Sequence, residues 1–73
     1  MQTRDMRRMA NQVAAFFAAY PPDEAIDGVA RHLQSFWDPR MRRKLLEDYA
    51  ANQGEGLLPL ARQAVERLAG KPN

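Results

Sequence analysis

The chain has 73 residues, 45% of them hydrophobic and 27% charged, and a net charge of +2. That balance belongs to a globular domain and not to a disordered one, and no stretch approaches the roughly 18 apolar residues that span a bilayer. The small positive excess speaks against the broad basic face of a nucleic-acid binder, and with no cysteine and a single histidine, His32, neither a disulfide framework nor a thiolate metal site can form.

The first predicted helix runs from about Thr3 to Ala19. Met6, Met9, Val13, Phe16, Phe17 and Tyr20 recur at three-and-four spacing and read as its core stripe. Alanines at 14, 15, 18 and 19 make the segment from Val13 to Tyr20 apolar on every side of the helix. A helix of that kind is covered all round, and so short a chain has little with which to cover it. Pro21 and Pro22 stop the helix. Arg4, Arg7 and Arg8 ahead of the apolar run faintly resemble a secretory leader. The run is at the short limit for one, and cleavage would discard a large part of the domain, so the segment is read as part of the fold.

A second helix starts between Pro22 and Glu24, where proline and acids suit a first turn. Ile26, Val29, Ala30, Leu33, Phe36 and Trp37 form its apolar face. Gly28 inside it costs roughly 1 kcal/mol relative to alanine, which implies close approach of another helix backbone. The third helix has the clearest start in the chain. Asp38 is placed to accept from the backbone N–H of Met41, and Pro39 occupies the first helical position. Met41, Leu45 and Tyr49 share one side, with Leu46 beside them, and the helix runs out between Ala50 and Gln53. Gly54-Glu55-Gly56 reads as a flexible joint. The last helix begins around Leu57 to Pro59 and stops at Gly70, with Pro72 beyond. Its buried stripe is Leu57, Leu60 or Ala61, Ala64, Val65 and Leu68. With no alternating pattern anywhere, the expected architecture is all-α: a single domain, residues 1–73, folded as a small compact bundle of four short helices.

No catalytic constellation is visible. Gly54-Glu55-Gly56 is too short for a phosphate loop and lacks its lysine and hydroxyl. Ser35 shares a helical face with His32, but no third group orients the pair. His32 reads as a boundary residue of the second helix, and the acid pairs Asp23-Glu24 and Glu47-Asp48 read as solvated termini. The charge layout is more informative. The third helix opens with Arg40, Arg42, Arg43 and Lys44 and closes with Glu47 and Asp48, against the helix dipole. The first helix has Arg4, Arg7 and Arg8 in its early turns. Either something anionic meets these starts, or they form a solvated face offset by Arg43–Glu47 and Lys44–Asp48 pairs. Phe36-Trp37 is either the corner of the core or an aromatic anchor for a partner.

Two strings carry a family resemblance. Met9-Ala10-Asn11-Gln12-Val13-Ala14-Ala15-Phe16-Phe17 and Phe36-Trp37-Asp38-Pro39-Arg40-Met41 resemble the delta subunit of NAD-dependent formate dehydrogenases. So do the proline-bounded helix between them, with Gly28-Val29-Ala30-Arg31-His32-Leu33, and the ending with Leu57-Leu58-Pro59-Leu60. The resemblance implies a small cytoplasmic accessory protein of a soluble enzyme complex. The large subunit of that complex carries a molybdenum or tungsten bis-pterin cofactor and iron–sulfur clusters, and companion subunits carry further clusters and flavin toward NAD. It also implies no redox centre and no catalytic residue in this chain, in keeping with its lack of cysteine. The expected role is assembly, cofactor insertion or stabilisation through docking on the large catalytic subunit. The residues expected to face it are Arg7, Arg8, Asn11, Phe17, Trp37, Arg40, Arg42 and Arg43. Two alternatives accompany this reading: a homodimer pairing its apolar face with itself, and a small helical nucleic-acid binder using the basic start of the third helix.

Overall fold

The computed structural model describes residues 2–70. Within them α1 (Thr3–Phe17), α2 (Pro22–Phe36), α3 (Pro39–Asn52) and α4 (Pro59–Leu68) form an all-α bundle with no strand. Its principal extents are 30 × 23 × 21 Å. Proline stands first in α2, α3 and α4, where its missing N–H forfeits no intrahelical bond. Asp38 caps α3 as expected, but its carboxylate accepts from the N–H of Arg40 at 2.7 Å and not from Met41. Both donors belong to the first turn that an N-cap side chain reaches. At the far end, Gly70 takes the left-handed conformation (φ +77°) that stops α4. Pro72 lies outside the described residues.

α1 ends at Phe17, two residues short of the expected Ala19. Pro21 has no N–H to give the Phe17 carbonyl, so Tyr20 N–H closes on it at 3.0 Å in a tighter turn. The residue before a proline is also pushed out of the helical region.

α2 packs most extensively on α4 and next on α1, while α1 also crosses α3. The core joins Met6, Ala10 and Ala14 of α1 to Val29, Leu33 and Trp37 of α2, with Leu45 and Tyr49 of α3 and Ala61, Ala64 and Val65 of α4. Of Leu60 and Ala61 it is the alanine that is fully buried. This corrects the expected stripe of α1. Met6 is buried, Met9, Val13 and Phe17 lie at the core's edge, and Phe16 and Tyr20 are 70% and 48% exposed. Alanine lets helix axes approach closely, so α1 sets Ala10 and Ala14 beside Met6 at the centre and leaves Phe16 outside. Phe36 is likewise outside the core, 77% exposed, while its neighbour Trp37 is buried.

Gly28 is crowded, but by a ring and not by the helix backbone expected. A Cβ there would stand 2.5 Å from Cε1 of Phe17. Gly54-Glu55-Gly56 is a built turn, not a loose joint. Gly56 adopts φ +85°, and Asn11 of α1 clamps the segment, donating from Nδ2 to the Gly56 carbonyl at 2.9 Å and accepting the Leu58 N–H at 2.8 Å.

Candidate functional site

The eight residues expected to face a partner divide into those the fold uses internally and those it leaves outside. Arg7 is used internally. Its guanidinium donates from Nε and NH2 to the two carboxylate oxygens of Asp48, at 2.7 and 2.6 Å, tying α1 to α3. Asn52 donates to the same carboxylate at 2.7 Å. Asp48 is buried, which corrects its reading as a solvated helix end and removes the Lys44–Asp48 pair expected on the surface. The Arg7 hydrogen bond holds the Asp48 carboxyl below the usual carboxylate range, against the opposing effect of burial. The same bond raises the Arg7 guanidinium. Charge-assisted bidentate pairing of this kind fixes geometry as well as charge.

Arg42 also turns inward. Its NH1 donates to the carbonyls of Leu33, Gln34 and Trp37 at 3.4, 3.2 and 3.1 Å. The Leu33 carbonyl also accepts the Trp37 N–H at 3.4 Å, while those of Gln34 and Trp37 lie past the last helical bond, at the negative end of α2. A basic residue near the start of α3 therefore serves the helix before it, and the charge layout that looked reversed along α3 is partly complementary across the corner. Asn11 clamps the turn before α4, and Trp37 lies in the core. These four residues do structural work. The nucleic-acid reading loses Arg42 to the same network.

Arg8, Arg40 and Arg43 are exposed. Arg8 makes one loose ion pair with Asp5 at 3.5 Å. Among the described residues Arg40 and Arg43 have no ion-pair partner, and the Arg43–Glu47 pair expected from spacing is absent. Phe17 is half-buried and holds its neighbours. Its ring meets Phe16 edge-on at 5.1 Å and Tyr20 at 5.5 Å.

Phe17 belongs to a concavity of the surface. A groove of about 560 Å³ runs between α1 and α2, lined by Met9, Val13, Phe16 and Phe17 on one side and His32 and Phe36 on the other, with Gln12 and Trp37 completing it. His32 stacks on Phe36 with ring centroids 4.9 Å apart. Phe16 and Phe36 are the most exposed large apolar side chains of the molecule's described part. Sequence reasoning placed both in the core and chose Trp37 as the anchor. The sequence does carry the signal at Phe16 and Phe17, which point about 100° apart and which a small bundle covers together only with difficulty; the same reasoning extends to Phe36 and Trp37.

The groove is chemically plain. It offers apolar surface, one imidazole and one amide, and among the described residues no three His, Cys, Asp or Glu side chains converge as a metal site requires. What the arrangement can do is receive another apolar surface. No helix of the described residues is long and apolar enough to cross a membrane.

No curated protein and no solved structure matches the chain. One family does match, over residues 6–65: the NADH-dependent formate dehydrogenase delta subunit FdsD. That span runs from the second turn of α1 nearly to the end of α4, and it includes both strings that carried the resemblance, so the chain belongs to the formate dehydrogenase delta-subunit family.

Proposed function

We propose that this chain is a non-catalytic accessory subunit of a soluble, cytoplasmic NAD-dependent formate dehydrogenase, docking on the large catalytic subunit to stabilise it or to assist insertion of its cofactor. The observation that carries the reading is the uncovered aromatic groove on a member of a subunit family. Phe16 and Phe36 stand 70% and 77% exposed, although Ala10 and Ala14 of the same α1 are buried. Exposed apolar surface concentrated in one groove is characteristic of an interaction site. A core of this size supplies only about 3–5 kcal/mol, so a docked state is also the simplest source of added stability. Absence of cysteine leaves thiolate-ligated iron–sulfur clusters to the other subunits, and we assign the molybdenum or tungsten pterin and the flavin to them as well.

The test is to purify the formate dehydrogenase from cells with and without this chain. Formate-dependent NAD reduction and metal content per large subunit are then measured. The reading expects both to fall without the chain, and full activity with full metal loading in its absence would overturn it.

A further inference from the structure

The groove between α1 and α2 adjoins a second depression across Gln12, lined by Arg4, Arg7, Arg8, Asn11 and Gly56. Arg7 is spoken for by Asp48. Arg4 makes no ion pair with any described residue, and the Arg8 side chain is 71% exposed with a single loose contact to Asp5. The apolar groove thus has two available arginines, Arg4 and Arg8, beside it across Gln12. Its other edge, at Arg31, is mixed, because Asp27 pairs with Arg31 at 2.9 Å.

From this asymmetry we infer that the groove is the docking site of the subunit, and that its occupant is an amphipathic helix of another formate dehydrogenase subunit. Large apolar side chains of that helix insert between Phe16 and Phe36, and carboxylates on its flank meet Arg4 and Arg8. The inference rests on the subunit reading above and adds to it a face and a partner chemistry. A helix fits where a strand does not. Both walls are helices, whose backbone donors are already satisfied, so no sheet edge is on offer, whereas side-chain ridges of a third helix can seat between them. Carboxylates are the groups that answer these arginines, and such complementarity sets register and orientation as well as attraction. A second copy of this chain has exposed acids at Asp23, Glu24 and Glu47, but none of them lines the groove that would pair with itself. A two-fold pairing through the groove sets Arg4 and Arg8 against their own equivalents or against the mixed Asp27–Arg31 edge.

The experiment co-expresses the tagged chain with the remaining formate dehydrogenase subunits of the same organism and measures how much of them it retains. Wild type is compared with Phe16→Glu/Phe36→Glu, with Arg4→Glu/Arg8→Glu, and with Leu58→Glu as a control at an exposed apolar residue away from the groove. All the substituted side chains are exposed, and circular dichroism verifies that each variant keeps its helices. Retention is expected to fall at least ~10-fold for both double variants, the scale of losing an interface anchor, and to stay unchanged for Leu58→Glu. Raised salt should weaken wild type more than the arginine variant. Undiminished retention by both double variants overturns the groove while leaving the subunit reading in place. Failure of wild type to retain any subunit removes both. Sedimentation of the isolated chain as a dimer that Phe16→Glu converts to monomer overturns the heterologous occupant in favour of self-association.

Discussion

The two edges of α1 are made of similar material and are finished differently. On the edge toward α3 and the turn before α4, Arg7 and Asn11 find partners for their polar groups in Asp48, Gly56 and Leu58. On the edge toward α2, Met9, Val13 and Phe16 meet Phe36 and His32 across open space. One edge is closed by hydrogen bonds within the chain. The other is left with aromatic rings facing water. A small protein that needed only to fold would bury its phenylalanines before its alanines, since each ring removes far more apolar area from water. The difference teaches that the closed edge serves stability and the open edge serves contact, and substitutions should separate the two.

The largest effect belongs in the closed core. Leu33 is fully buried, and Leu33→Ala should lose about 2–5 kcal/mol of unfolding free energy by urea titration. That is most of what a core this small supplies. The Arg7–Asp48 clamp comes next and can be read through pH. Because the folded-state carboxyl of Asp48 lies below its ordinary value, its stabilisation is present above the carboxylate range and is lost as pH falls through that range. Asp48→Asn should therefore be less stable than wild type at neutral pH, and the gap in Tm should close as the solution is acidified. A gap that persists unchanged in acid would place the effect in packing and not in charge.

Smaller effects sharpen the boundary between the edges. Asn11→Ala frees the Gly56 carbonyl and the Leu58 N–H together, and should cost about 1–2 kcal/mol, with faster amide exchange at Leu58. Gly28→Ala gains about 1 kcal/mol of helix propensity but drives a methyl into the Phe17 ring, and overpacking costs about 1–3 kcal/mol. The net should be a loss near 1 kcal/mol, accompanied by altered aromatic fluorescence or NMR shifts at Phe16 and Phe17. At the open edge, Phe16→Ala and Phe36→Ala should change stability by no more than about 0.5 kcal/mol. A loss several times larger would mean that these rings are part of the core after all, and the contrast between the edges would collapse.

Much of the fold was legible in advance. Prolines at 22, 39 and 59, Asp38 before Pro39 and Gly70 after the last stripe mark helix ends by purely local chemistry, and the helices start where those residues stand. The site was legible only in part. The arginine pattern was visible as an anomaly along α3, but its explanation runs between helices, from Arg42 to the α2 carbonyls and from Arg7 to Asp48, 41 residues away. Asn11 drew notice as part of a family string and turned out to be a clamp on a distant turn. Phe16 and Phe36 were assigned inward because periodicity reports which residues share a stripe. It does not report which stripe the neighbours choose.

By itself, then, the order of residues determined four helices, where they begin and, apart from the early end of α1, where they stop, and the surplus of apolar surface around Val13 to Tyr20. Those properties follow from dihedral limits, capping and spacing, all of which act over a few residues. Tertiary structure alone decided which side of α1 would be buried, because that choice depends on how closely α2, α3 and α4 can approach. The face of Met6, Ala10 and Ala14 won, its alanines letting helix axes come together, and the rings it displaced became the groove.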